Sequence, residues 1–126
     1  MTPGTKFLYN NWDFNAAGSV FEQLTGRSVF EAVDEDLAKP LGFQDWDLSR
    51  HRHTGNMTRS MHPAYHLYLS TRDMARIGYL MLRKGKWEEK QIIAKEWHRK
   101  MIATSTKPEE IGSKKRFGYG YMWWLY

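Results

Sequence analysis

The sequence predicts one mostly α-helical domain that ends in a β-strand. Its 126 residues are enough for a single domain, and the hydrophobic share of 41% and aromatic share of 15% allow a packed core. Four segments carry apolar residues at helical spacing. The last ten residues, FGYGYMWWLY, have the high β-propensity of a strand. No second domain is expected.

The first helix is expected to begin near Asn11 or Trp12 and to end at Gly26. A glycine at this place suits the left-handed conformation that terminates many helices. Apolar residues follow a helical period across the segment, at Ala16, Val20, Phe21 and Leu24.

A second helix is expected to follow at once. Ser28 and Glu31 have the spacing of a capping box, in which each side chain satisfies a free N–H group of the new helix. We expect Pro40 to end this helix, because the residue before a proline disfavours the helical conformation.

Residues 40–69 show little periodicity and predict a mostly irregular segment, of a length that is often functional.

A third helix is expected from Ser70, with Asp73 as an acidic residue in its first turn, and Gly85 is expected to end it. The segment AKEWHRKMIA predicts a short fourth helix. In the terminal strand, Gly118 and Gly120 allow close approach of another backbone, but no second convincing strand is visible.

The composition excludes several classes of function. The net charge is +5, but basic residues are mixed with acidic ones, and the densest run, Lys114-Lys115-Arg116, is interpreted as a solvated loop, so we expect no nucleic-acid partner. There is no cysteine, and no apolar run approaches the roughly 18 to 20 residues that span a bilayer. No signal peptide is visible, which leaves the localisation undecided.

The histidines do not predict a metal site. His62 and His66 are four residues apart, a spacing that suits a two-histidine site on a helix, but Pro63 lies between them and no glutamate accompanies them. His51 and His53 are likewise interpreted as polar loop residues. Since a glycine-rich phosphate loop is also lacking, we expect neither a metal nor a cofactor.

The candidate catalytic residues are Tyr9 and Asn11, in the stretch KFLYNNWDF before the first helix. A tyrosine can act as a general base where nearby cations lower its pKa, and an asparagine on the same turn can orient a substrate amide. The structural alternative is that Tyr9 packs and that Asn10 or Asn11 caps the helix.

Four ordered landmarks resemble the serine β-lactamase-like family, which includes class C β-lactamases, penicillin-binding-protein-related hydrolases, esterases and amide hydrolases. The first is Pro3-Gly4 followed by Tyr9-x-Asn11. The second is a helix that ends in Thr25-Gly26, with Pro40-Leu41-Gly42 after the next helix. The third is LSTRDMARIGYLMLRKGKW, and the fourth, FGYGYMWW, is similar to the family's Tyr-Gly-hydrophobic-Trp-Trp strand.

The resemblance implies the α/β β-lactamase/transpeptidase-like fold, of which residues 1–126 would supply the helical region and the first return into the sheet. It implies that Tyr9 accepts and donates protons around an acylated serine, and that Asn11 orients the substrate and a lysine. The reaction would be acyl transfer from a small-molecule amide or ester, followed by hydrolysis. A periplasmic or secreted location is compatible with this family.

The sequence departs from the family pattern in two motifs. It contains no Ser-x-x-Lys, which carries the nucleophile, and it ends before the third motif of the family. His53-Thr54-Gly55 spells that third motif, but it lies in the irregular segment before the third helix. We therefore expect a fragment of the domain that is inactive alone.

A non-catalytic alternative is a helical interaction module that binds a protein partner through exposed aromatic residues. In either case, a terminal aromatic strand without a neighbour invites association with a second copy or strand exchange. The substrates that fit the resemblance are lactams, esters, D-amino-acid peptides and linear amides.

Overall fold

The computed structural model describes residues 2, 4–56, 58–111 and 116–126. Two predicted features, the turn at Pro3 and the basic run at Lys114-Lys115, fall on residues outside this range. The helices are α1 (Asn11–Thr25), α2 (Val29–Val33), α3 (Lys39–Leu41), α4 (Thr71–Leu82) and α5 (Lys95–Met101), with a π-helical turn at Asp34–Ala38 and a 3₁₀ turn at Leu48–Arg50. The strands are β1 (Arg52–Thr54), β2 (Ala64–His66), β3 (Lys86–Trp87), β4 (Lys90–Gln91), β5 (Gly118–Gly120) and β6 (Trp123–Leu125).

The predicted bounds of α1 are confirmed, and so is the capping box of α2. Gly26 follows α1 in the left-handed conformation, at φ 67°, and its N–H donates to the carbonyl of Glu22. Ser28 accepts from the N–H of Phe30, and the side chain of Glu31 accepts in return from the N–H of Ser28.

The prediction that Pro40 ends the second helix was wrong, because helical structure continues through it to Leu41. The turn before the proline is π-helical, and the N–H of Lys39 donates to the carbonyl of Asp34, five residues back. In an α-helix, a proline ring clashes with the carbonyl group four residues earlier. The wider π-helical turn moves this carbonyl away from the ring. Gly42, at φ 64°, ends the segment instead.

The segment expected to be irregular contains an antiparallel hairpin. Arg52, His53 and Thr54 of β1 pair with His66, Tyr65 and Ala64 of β2. The hairpin packs on α1 through β2, and the Tyr65 ring fills the space beside Gly18. Polar and apolar residues do not alternate regularly in this segment, so its sequence does not predict the hairpin.

Ser70 caps helix α4 and Asp73 lies in its first turn, as predicted, but Asp73 also has a second role. Ser70 accepts from the N–H of Asp73, and the Asp73 side chain is completely buried. Its two oxygens accept from the N–H groups of Gln44 and Asp45 at 2.9 and 3.2 Å. Asp73 therefore fastens the loop after α3 to the start of α4.

The short strands β3 and β4 form a second hairpin after α4, and α5 follows it. His98 of α5 is buried, and its Nε2 lies 2.8 Å from the carbonyl oxygen of Met81 in α4. This contact joins the two helices through a polar group.

The C-terminal segment is a hairpin and not the single strand expected from the sequence. Tyr119 of β5 pairs with Trp124 of β6, and Tyr121 and Met122 make the turn with φ of 43° and 68°. Positive φ at both central residues is the type I′ pattern, for which Asn-Gly is the usual signal, so the turn could not be recognised from Tyr-Met.

The buried apolar core of the described residues is small: Phe30, Ala32, Ala38, Leu41 and Leu80. Leu41 of α3 and Leu80 of α4 are completely buried, and the Arg76 side chain of α4 donates to the carbonyl oxygen of Leu41 at 2.7 Å. Within the residues the structure describes, no helix combines the length and apolar character required to cross a membrane.

Candidate active site

Tyr9 lies in the extended segment just before α1, with 45% of its surface exposed. Its ring is surrounded by aromatic rings: the centroids of Trp124, Phe14 and Tyr119 lie 5.4, 6.0 and 6.1 Å away. These rings hold the phenol at the surface without burying it.

The C-terminal hairpin reaches Tyr9 because it is docked on the segment after α5. Tyr119 exchanges backbone hydrogen bonds with Thr106, at 2.9 and 2.8 Å. A Cβ at Gly120 would lie 2.1 Å from the carbonyl oxygen of Ala103, so only glycine permits this approach. This confirms the expectation that the two glycines of the strand allow another backbone to come close.

The two asparagines before and at the start of α1 have separate roles. The Asn10 side-chain oxygen accepts from the N–H of Trp12 at 3.0 Å and caps the helix. Asn11, the first helical residue, is exposed and lines a cleft together with Tyr9.

Tyr9 borders two clefts. The first cleft, of about 540 Å³, is lined by Phe7, Leu8, Tyr9, Ile111 and Trp124. The second cleft, of about 370 Å³, is lined by Tyr9, Asn11, Phe14, Asn15, Ala64 and Tyr65. Tyr9 therefore borders both the first cleft, which is mostly apolar, and the second cleft, which contains the carboxamides of two asparagines.

Tyr65 forms one wall of the second cleft and is held by α1. Its hydroxyl donates to Glu22 Oε2 at 2.9 Å, and the oxygen of Ser19 lies 3.5 Å away. Burial raises the pKa of the Tyr65 phenol, and the hydrogen bond to Glu22 contributes in the same direction. Tyr65 therefore stays protonated as a donor to Glu22.

The second phenol near Tyr9 belongs to Tyr119. Burial raises the pKa of Tyr119 most, and the neighbouring Tyr9 and Asp13 add to the increase. Tyr119 therefore remains a neutral packing partner at neutral pH.

Tyr9 and Asn11 both line the second cleft. The structure places His53-Thr54-Gly55 away from the linings of both clefts: His53 packs against Phe30 and Tyr65, with Nε2 3.9 Å from Glu22. The side chains of the described residues include no cluster of three or more metal-ligating groups.

Sequence reasoning missed residues that line these clefts, among them Asn15, Tyr65 and Trp124. Asn15 could have been found, because it follows Asn11 by one helical turn. Tyr65 and Trp124 could not, since both come to the clefts through hairpins that the sequence pattern does not reveal.

Comparison with solved structures gives a match to a protein from Bacillus anthracis described as a 6-aminohexanoate-dimer hydrolase, with a TM-score of 0.72 and 25% sequence identity. The match covers 98% of this chain and 31% of the other, so this chain spans less than a third of the length of the relative. Comparison with curated protein sequences gives no significant match.

The fold is that of the β-lactamase/transpeptidase group, as the sequence predicted, with a mostly helical chain and strands at its C-terminus. The model of the β-lactamase family matches residues 1–126, and the chain belongs to that family.

Proposed function

We propose that this chain contributes the proton-transferring part of a serine hydrolase that acts on a small-molecule amide or ester by acyl transfer. Tyr9 moves the protons and Asn11 orients the substrate. The observation that carries the proposal is the position of Tyr9. This residue is half-exposed, borders both clefts and lines the second cleft together with Asn11.

In the proposed reaction, a serine Oγ bonds to the carbonyl carbon while its proton passes to Tyr9, which accepts it as the phenolate and becomes a phenol. The phenol then returns a proton to the leaving amine or alcohol as the bond to the carbonyl carbon breaks. Water repeats the sequence and releases the acid. The serine and its lysine are supplied by sequence outside these 126 residues, because the chain contains no Ser-x-x-Lys.

Asn11 is suited to its role because Asn10 performs the capping. A carboxamide both donates and accepts, so it can hold a substrate amide and a lysine ammonium group at once. A rigid helix N-terminus then keeps this group in register with the phenol.

The test compares Tyr9→Phe with the unchanged full-length protein that contains this chain. We expect kcat for an amide or ester substrate to fall at least about 100-fold, the usual contribution of a positioned acid–base group. Tyr79→Phe is the matched control, because Tyr79 has a similar exposure of 47% but lies on α4, outside both cleft linings.

A penicillin-type acylating probe provides a second measurement. The full-length protein is expected to be labelled, and a protein consisting of residues 1–126 alone is not. Equal activity of Tyr9→Phe and the unchanged protein contradicts the role of Tyr9. Absence of labelling and turnover favours the non-catalytic interaction module.

A further inference from the structure

The second cleft contains a carboxamide to which the proposed reaction gives no role. Asn15 lies one turn after Asn11 on α1, and both line the cleft. The Asn15 side chain is half-buried, and within the described part of the chain it makes no hydrogen bond. Its donor and acceptor are therefore available to a ligand.

Tyr65, which also lines this cleft, is fixed in place, and its hydroxyl is already hydrogen-bonded. The Tyr65 ring lies against Gly18, where a Cβ would be only 2.3 Å from the ring carbon Cε2. The Tyr65 hydroxyl is bound to Glu22, one turn after Gly18 on the same helix. The ring thus limits the width of the cleft, while the carboxamides on α1 supply its free hydrogen-bonding groups.

We propose that Asn15 contacts the substrate and selects amides over esters at this site. The inference rests on the proposed function and specifies its substrate class. Asn15 Oδ1 accepts the N–H of the scissile amide, a hydrogen that an ester lacks. A half-buried site built to bind an N–H group discriminates against the analogue without it, because the site's own acceptor is then left unpaired.

The contact is compatible with the proton transfers of the reaction. The serine oxygen bonds to the carbonyl carbon, the carbon–nitrogen bond breaks, and the nitrogen takes its additional proton from Tyr9. Asn15 exchanges no proton and holds the nitrogen's original hydrogen throughout.

The experiment uses two substrates with the same acyl group and the same ring, p-nitrophenyl hexanoate and its p-nitroanilide, with the full-length protein. Asn15→Ala is expected to lower kcat/KM for the anilide about tenfold and that for the ester less than twofold. Asn15→Asp keeps an acceptor oxygen and is expected to retain most of the anilide activity.

Two controls separate a substrate contact from a structural effect. Asn15→Ala favours the helix, so α1 is expected to remain folded, which circular dichroism checks. Gln23→Ala removes an exposed carboxamide on α1 that lines neither cleft and is expected to change neither rate.

The failure of this inference is distinguishable from that of the proposed function. An unchanged ratio of anilide to ester activity in Asn15→Ala overturns the role of Asn15, even when Tyr9→Phe abolishes both activities. Equal activity of Tyr9→Phe and the unchanged protein overturns the proposed function. A full-length protein that hydrolyses neither substrate contradicts both.

Discussion

Two adjacent asparagines show how roles divide at the level of single residues. Asn10 has extended backbone angles, φ −145° and ψ 128°, which let its side chain reach back to the N–H of Trp12. Asn11 already has helical geometry, so its side chain projects from the first turn into the cleft. The sequence left both assignments open, because capping depends on backbone angles and not on residue type alone.

His51 gives a prediction for the pH dependence of stability. Its side chain is 8% exposed, its Nδ1 accepts from the N–H of Tyr68 at 3.1 Å, and the Trp46 ring lies 3.9 Å away. Burial lowers the pKa of His51, and the charge of Asp47 offsets this only in part. The unfolded chain therefore binds the proton more readily than the folded one.

The free energy of unfolding is thus expected to be highest above about pH 6.5, the ordinary histidine pKa, and to fall as the pH drops below it. Urea denaturation between pH 5 and pH 8 measures this change. His51→Gln keeps an acceptor for Tyr68 but does not titrate, so its curve is expected to be flatter. Identical slopes for the unchanged protein and His51→Gln exclude His51 as the cause.

At the level of elements, the sequence predicted the helices well and the hairpins poorly. Helix ends were found because Ser28, Ser70 and Gly26 carry local signals that need no tertiary partner. The strands are two or three residues long, too short for a periodic pattern. The turn at Tyr121 and Met122 lacks its usual residues, so the pairing of β5 with β6 is fixed by tertiary packing.

Two helical glycines give opposite predictions for the same substitution. A Cβ at Gly18 would collide with the Tyr65 ring, whereas a Cβ at Gly78 on α4 meets nothing within 4 Å. Gly78→Ala is therefore expected to stabilise the protein by up to about 1 kcal/mol, the difference in helix propensity. Gly18→Ala is expected to destabilise it by about 1–3 kcal/mol, because the ring must move and its bond to Glu22 is strained.

Chemical denaturation of the two variants measures this contrast. A stabilised Gly18→Ala protein would mean that Tyr65 does not rest on α1. Displacement of Tyr65 in Gly18→Ala would also change the shape of the second cleft, because Tyr65 forms one of its walls.

At the level of the whole molecule, many large apolar side chains remain at the surface. Leu24 is 81% exposed and Leu82 is 77% exposed, on different helices. The chain spans 31% of the structural relative it matches, and such faces are those that additional sequence or another copy would cover.

We predict that residues 1–126 self-associate or exchange strands through the C-terminal hairpin. Trp123, on the terminal strand, is 37% exposed, and a charged residue at a sheet edge opposes pairing with another chain. Trp123→Lys is expected to shift sedimentation toward monomer, while the control Gln23→Lys, at an exposed polar position of α1, is expected to have a smaller effect. A monomer at high concentration for the unchanged chain contradicts the prediction.

The contacts of Tyr9 join opposite ends of the sequence, since Trp124 and Tyr119 come from the last strands. Contacts of such long sequence separation carry the largest loop-closure entropy and are expected to form late in folding. The hairpin can therefore detach by a local opening while α1 and α4 stay intact, and the phenol would lose its aromatic surroundings in that state. The chemistry proposed for Tyr9 thus requires the C-terminal hairpin, which is expected to form late in folding, to be docked beside it.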